Sequence, residues 1–200
     1  MNKKLLKNTE VELKLFDQIE KNKDHSQRSI SKELNIALGL SNALLKRFVS
    51  KGFLKLSQAP MKRYFYYITP KGLVEKTKLT SEFLKSSLQF YNKIRNQYEK
   101  EFNKIKRNRY TKIILVGISE FTEIAILAAK LTDIKINFIV DENFKKRKFC
   151  EVPVRSQIDQ YLNDKQNTLF VISSQNGISN FMKKLLKKKN VIKPNFLLLD

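Results

Sequence analysis

Two short helical patterns lie close together in the segment Ser26 to Leu56, "SQRSISKELNIALGLSNALLKRFVSKGFLKL". Ile30 and Leu34 share one face of the first pattern, and Leu44 and Phe48 share one face of the second. Helices this short are marginal in isolation, because most helical stability in proteins comes from the packing of an apolar face. The segment therefore predicts two helices that pack on each other across a sharp turn.

The residues on either side of this segment complete a recognisable order of elements. Residues 9–22 have helical periodicity, with Thr9 as the expected N-cap and Glu12 three residues later, the spacing of a capping box. Gly52 is expected to end the third helix, and after it "FLKLS", "QAPMK" and "RYFYYITPKG" predict a strand, a turn and a strand. Helix, helix, sharp turn, helix and β-hairpin is the order of a winged helix-turn-helix domain, whose third helix presents one face to the DNA major groove.

Charge and residue type in this region favour an anionic partner. The chain has 40 Lys and Arg against 19 Asp and Glu, a formal net charge of +21, and residues 26–71 hold nine basic residues and a single acid, Glu33. An asparagine can pair with adenine, and Arg or Lys can bind guanine or a phosphate. The predicted DNA-contacting residues are Arg28, Asn42, Ala43, Lys46, Arg47, Lys62 and Arg63. Taken singly, each of them could equally be a solvated surface residue.

The same segment, followed by "YFYYITPKGLVEKTKLTSEFL", resembles the MarR-type winged helix regulators associated with exopolysaccharide and other surface-polysaccharide gene clusters. The resemblance covers roughly residues 8–100. It implies a dimeric transcription factor that binds double-stranded DNA, with a recognition helix at about Leu38 to Lys51. The sequence departs from expectation at Ala37, where a Ser or Thr helix cap would be expected.

Between about Lys71 and Arg109 the sequence contains no proline, and its one glycine is Gly72. This composition predicts one or two long helices. Apolar residues recur there with alternating spacings of four and three, as in a coiled-coil seam. This pattern favours a homodimer contact, and the alternative is that the face packs on the protein's own domain. The seam positions are Leu84, Leu88, Tyr91, Arg95, Tyr98, Phe102 and Ile105.

The pattern changes near residue 110. "KIILVGI", "INFIVD", "TLFVISS" and "NFLLLD" are continuous apolar runs, and helical patterns lie between them, which predicts a mainly parallel sheet. The expected fold class is an α+β winged helix-turn-helix domain, a long linking or dimerisation helix, and then a small α/β domain with a Rossmann-like sheet. The expected boundaries are 1–78, 79–109 and 110–200.

"KIILVGISEFTEIAILAAK" resembles the first strand, turn and helix of a Rossmann-like domain of the nucleotide-sugar type. Gly117 fits the phosphate-binding turn, but Ser119 and Thr122 occupy the positions of the other glycines, and Glu120 would place a negative charge beside a phosphate. The candidate effector is a nucleotide or sugar nucleotide, and the alternative is a degenerate domain kept for structure or protein contacts. The candidate ligand-binding residues, all at the expected carboxyl ends of strands, are Gly117, Ser119, Asp141, Ser173, Ser174 and Asn176.

Several classes of function are disfavoured. One cysteine and one histidine are too few for an intramolecular disulfide or a zinc cluster, and no nucleophile, base and metal set suggests an enzyme. No apolar run approaches bilayer length, so we expect a cytoplasmic protein without a membrane partner. The leading interpretation is a transcriptional regulator with an effector-sensing domain. The alternatives are a nucleotide-sugar-binding or vestigial enzyme domain whose winged helix mediates protein contacts, and an architectural nucleic-acid binder.

Overall fold

The computed structural model describes residues 3–21, 27–59, 63–106, 110, 112–156, 168–174 and 191–194. The chain divides into two compact units, Met1–Gln89 and Phe90–Asp200. The fold class predicted from sequence is confirmed, because a winged helix-turn-helix, a long helix and a mostly parallel sheet follow one another. The boundaries expected after residues 78 and 109 remain predictions, and the division between the compact units falls inside the long helix.

The described part of the N-terminal unit contains three helices, a two-stranded antiparallel sheet in which Leu54 pairs with Ile68, and the first part of the long helix. Its elements are α1 (Lys3–Lys21), α2 (Gln27–Glu33), α3 (Leu38–Ser50), β1 (Leu54–Ala59) and β2 (Arg63–Ile68). Helix α3 ends where Gly52 adopts a φ of +75°, a left-handed conformation that glycine accepts without a steric penalty. The "QAPMK" turn lies largely outside the described residues.

The first helix differs from the sequence expectation. It already includes residues 3–8, so Thr9 lies inside α1 and is not its N-cap. Glu12, expected as the capping-box partner of Thr9, instead forms an ion pair with Arg47 of α3. A capping-box spacing therefore occurred by chance within a longer helix.

The long helix α4 (Pro70–Ile105) is one uninterrupted element of 36 residues. Proline occupies its first position, where the missing N–H costs no hydrogen bond, and the Thr69 hydroxyl accepts from Gly72 N at 3.0 Å. Part of the predicted seam is buried in the core of the C-terminal unit: Tyr98, Phe102 and Ile105. The burial of these three residues corresponds to the alternative given above, in which the apolar face packs on the protein's own domain.

The C-terminal unit is built on a mixed sheet with the strand order β5-β6-β4-β3-β7-β8. Its elements are β3 (Lys112–Val116), α5 (Glu120–Leu131), β4 (Phe138–Val140), β5 (Lys148–Phe149), β6 (Val152–Arg155), β7 (Thr168–Ile172) and β8 (Val191–Ile192). Only β5 and β6 pair antiparallel; the other pairs are parallel. The described part of the chain contains no helix with the length and apolar content needed to span a bilayer.

Candidate nucleic-acid interface and sheet-edge site

Helix α3 is held in place by its inner face. Leu44, Leu45 and Phe48 are buried at helical spacing, and the small Ser41 is buried on the same side one turn earlier. The Phe48 ring lies 4.9 Å from the Phe16 ring between centroids. Aromatic contacts of this kind add stabilisation beyond the area they bury, so α3 has a fixed orientation on the unit that carries it.

The outer face of α3 is small, polar and basic. Gly39, Ala43, Lys46 and Arg47 are all exposed there, and the helix contains no acidic residue. The predicted DNA-contacting residues Ala43, Lys46 and Arg47 thus lie on the exposed side of the helix. Such a face suits a polyanion, because none of the residues that α3 contributes to it carries a negative charge.

Asn42 lies at the edge of this face and is half-buried. Its Oδ1 atom is buried and accepts no hydrogen bond from any described residue. A buried polar atom without a partner costs free energy, and because this oxygen is buried, a ligand would reach it only after the Asn42 side chain rotates.

Arg47 is engaged within the protein. Its Nη2 atom forms an ion pair with the Glu12 carboxylate of α1, and its guanidinium carbon lies 5.7 Å from the centroid of the Phe48 ring. The ion pair joins α1 to α3, which the sequence did not suggest, because residues so far apart give no local signal.

The remaining predicted DNA contacts are only partly described. Arg28 is exposed on α2, as a phosphate contact requires. Arg63 begins β2, but its side chain is outside the description, and Lys62 lies outside the described residues altogether. Sequence reasoning missed Leu38 and Leu40, which are exposed at the start of α3. The signal was available for Leu40, which falls outside the apolar spacing that defines the inner face. Leu38 lies three residues before Ser41, within that spacing, and gave no such signal.

At the carboxyl ends of the strands, the candidate ligand-binding residues form a network among themselves. Ser119 caps α5: its Oγ accepts from Phe121 N at 3.2 Å and donates to Ser173 O at 2.6 Å. Thr122, which stands where a glycine would be needed for phosphate, completes a capping box and donates to Gly117 O at 2.9 Å. Ser173 Oγ donates to the same oxygen at 2.7 Å.

Gly117 and Asp141 complete the network. Gly117 has a φ of +85°, and a Cβ at this position would lie 2.5 Å from Ser174 Cβ, so the glycine is needed to close the turn. Asp141 accepts from Ile118 N through Oδ2 and from Asn143 N and Phe144 N through Oδ1, at 2.8, 2.9 and 3.1 Å. A carboxylate bonded in this way orders two loops. Asn176 lies outside the described residues.

No metal centre accompanies these groups in the part of the chain that the structure describes, where no three His, Cys, Asp or Glu side chains come together. The polar residues at the sheet edge are serine, threonine and aspartate, each with a partner in the chain. Their arrangement explains the local fold of the turn, and it offers a ligand fewer open groups than α3 does.

Comparison with known proteins supports the assignment of the N-terminal unit. Residues 9–55 match a family of winged helix-turn-helix DNA-binding domains. No curated protein matches the chain. One matching solved structure is Streptococcus pneumoniae FabT in complex with DNA, with 25% identity, 61% of this chain and 69% of that chain covered, and a TM-score of 0.32. A TM-score this low does not establish a shared overall fold.

The family match therefore rests on α1, α2, α3 and the start of β1, the elements whose geometry is described above. It agrees with the exposed, acid-free face of α3 and with the antiparallel hairpin that follows. Residues 9–55 match the winged helix-turn-helix DNA-binding family, and the structure has the winged helix-turn-helix order of elements there.

Proposed function

We propose that this protein is a transcriptional regulator that binds double-stranded DNA through α3. The observation that carries the proposal is the outer face of α3, which is exposed, basic and free of acidic residues on a helix fixed by its inner face. Lys46 and Arg28 would bind phosphates, and the amide of Asn42 would bind a base edge. Lys62 and Arg63, near the tip of the hairpin, would contact the backbone or the minor groove.

Arg47 has a conditional place in this proposal. One of its guanidinium edges is paired with the Glu12 carboxylate, so Arg47 would bind DNA through its remaining N–H donors or by exchanging Glu12 for a phosphate or a guanine. A partly exposed ion pair contributes at most about 1 kcal/mol, so giving it up costs little. After the exchange Glu12 would lose its partner, and its negative charge would weaken binding to DNA of any sequence.

The proposal includes a homodimer on a pseudo-palindromic operator. Leu84 and Leu88, one helical turn apart on α4, are 58% and 54% exposed, which supports a contact with a second copy. A variant with both leucines changed to glutamate should be monomeric by light scattering. A wild-type protein that is itself monomeric at micromolar concentration would contradict this part of the proposal.

The finer parts concern regulation. Acting in the cytoplasm, the α/β unit would modulate DNA binding through a nucleotide or sugar nucleotide at the carboxyl edge of its sheet, and the targets would be surface-polysaccharide genes. The strand order around β3 and the MarR-type resemblance support these parts. The hydrogen bonds that Asp141 and Ser119 make within the chain weaken the support for a ligand at the sheet edge. Thermal shift with a panel of nucleotides and transcript measurements after gene deletion would test them.

The decisive experiment selects bound duplexes from a random pool at physiological salt and titrates the selected duplex against a scrambled one. Specific binding should exceed non-specific binding by at least about a thousandfold. A Lys46→Glu, Arg28→Glu variant should lose binding. A control with Lys78→Glu and Lys85→Glu, exposed lysines of α4, should retain it.

Binding of every duplex with equal affinity and steep salt dependence would replace this proposal with an architectural role. No binding at all would reject DNA as the partner.

A further inference from the structure

The described glycines differ in the structural reason for having a glycine at each position. Gly52 and Gly117 have positive φ. Gly72 is packed so tightly that a Cβ would lie 2.1 Å from Phe53 O. Gly39 shares neither property: it is helical, its φ is not positive, and a Cβ there would meet nothing within 4 Å. Neither the backbone nor the packing of this protein requires a glycine at position 39.

A glycine in a helix nevertheless lowers stability relative to alanine. The described part of the chain gives no reason for this glycine, and a frequent use of glycine is to let another molecule approach the backbone closely. Gly39 lies on the outer face of α3, in its first turn. In helix-turn-helix proteins the N-terminal residues of the recognition helix are those that meet base edges.

The neighbours of Gly39 indicate what approaches. Ala43 follows Gly39 at i+4 and Leu40 at i+3, so Ala43 lies beside both of them and joins the three residues into one patch on the helix surface. Leu40 is 57% exposed. A single exposed leucine is ordinary, but here it joins a glycine and an alanine on the helix proposed above to bind DNA, within the residues that match a DNA-binding family.

This patch has no hydrogen-bonding side chain. In the major groove the apolar group available for contact is the C5-methyl of thymine, which small and aliphatic side chains recognise. We propose that Gly39, Leu40 and Ala43 read thymine methyl groups, with Gly39 admitting the base edge to the helix backbone and Leu40 and Ala43 contacting the methyls. This inference rests on the proposed function and specifies the bases that the operator must contain.

Replacing thymine with deoxyuridine removes the methyl group and leaves base pairing intact. In the selected operator, deoxyuridine at the positions facing α3 should weaken binding by about fourfold for each buried methyl group removed. The Leu40→Ala variant should bind the thymine operator about as weakly as wild type binds the deoxyuridine operator. It should also be much less sensitive than wild type to the substitution, because the leucine that contacts the methyl is already absent.

The second test of this inference is the Gly39→Ala variant. The variant should keep or raise the Tm by up to about 4 °C, yet bind the operator about tenfold more weakly, comparable with one mismatched base pair. Gly72→Ala is the matched control for folding, because it should lower the Tm through its clash with Phe53 O.

The outcomes separate the two levels of the proposal. Failure to select any operator overturns the proposed function and this inference together. A selected operator that binds equally well with deoxyuridine, or that tolerates Gly39→Ala without loss of affinity, overturns only the reading of thymine.

Discussion

At the scale of single residues, the sequence predicts features that depend on neighbouring residues better than features that depend on tertiary packing. Gly52 was expected to stop α3 and does so with a φ of +75°. Thr9 was predicted wrongly as a helix cap, because periodicity does not show where a helix begins when the preceding residues also favour helix. The ion pair of Glu12 with Arg47 could not be foreseen, since it joins residues brought together only by tertiary packing.

Ala37 gives a prediction at this scale. It is the N-cap of α3, and its side chain makes no capping hydrogen bond. Ala37→Ser should raise the free energy of unfolding by about 0.5–1 kcal/mol, because serine can accept from an unpaired backbone N–H of the first turn. Urea denaturation would measure the gain. The control is Ala43→Ser in the middle of the helix, which should give no gain; equal effects in both variants would reject the capping explanation.

At the scale of elements, α4 shows that an apolar pattern can be recognised correctly while part of it packs within the protein's own domain. The alternating spacing was present, but residues from Tyr98 onward pack in the core of their own unit, while Leu84 and Leu88 remain exposed. Periodicity indicates that a face is apolar and does not identify what covers it. The intruding charge, Arg95, is accommodated by Glu99 one turn along, at 3.1 Å.

Tyr98 gives a prediction about stability for the part of α4 that lies in the C-terminal unit. Its hydroxyl donates to Ile172 O at 3.1 Å, and burial raises its pKa. Tyr98→Phe should lower the free energy of unfolding by about 1 kcal/mol, because a buried carbonyl oxygen loses a donor. Chemical denaturation would measure the loss, with the half-buried Tyr91→Phe as control. Equal stability of the Tyr98 variant and wild type would show that the bond contributes nothing.

Lys76 gives a prediction about pH-dependent stability for the part of α4 that lies in the N-terminal unit. Its ammonium contacts Asp17 and Glu20 of α1, each at 2.7 Å. Partial burial lowers the pKa of Lys76, but hydrogen bonds and charge from the two carboxylates outweigh it, and the pKa is raised above 10.5. Because the folded pKa is the higher one, the stabilisation is fully present at neutral pH and is lost as pH rises through the folded value.

Lys76→Met should therefore destabilise the protein at pH 7 by about 0.5–1 kcal/mol, the range for partly exposed ion pairs. The difference from wild type should shrink above about pH 10.5. Lys78→Met, exposed on the same helix, is the control. Denaturation at pH 7 and at pH 11 would decide, and a pH-independent difference would assign the effect to packing.

At the scale of the whole molecule, alternation of apolar runs and helical patterns was enough to predict a mostly parallel sheet, because parallel strands need helical crossovers. The candidate DNA face was also found, since opposite faces of one helix follow directly from its spacing. The state of the sheet edge was not predictable. Serine, threonine and aspartate are suitable both for binding a ligand and for bonding to the backbone, and only coordinates distinguish the two.

The charge of the whole molecule leads to a prediction about salt. Each phosphate bound by a basic side chain should contribute about 0.9 to the slope of log K against log salt concentration. Replacing Arg28 and Lys46 with glutamine should reduce that slope by about 0.9 for each of the two phosphates released, whereas the same change at Lys78 and Lys85 should leave it unchanged. Fluorescence anisotropy over a salt series would measure the slopes. An unchanged slope in the first variant would show that other residues bind the phosphates.

The turn that follows β3 has a consequence for how this chain can vary. Gly117 O accepts from both Thr122 and Ser173, and Ser173 O accepts from both Ser119 and Thr122, so each carbonyl keeps one hydroxyl donor when a single side chain is replaced. In a library selected for folding, substitutions at these three positions should therefore be epistatic: milder one at a time than in combination. Evolution toward a glycine-rich phosphate turn would then meet its largest loss of stability at the step that removes the last donor from a carbonyl.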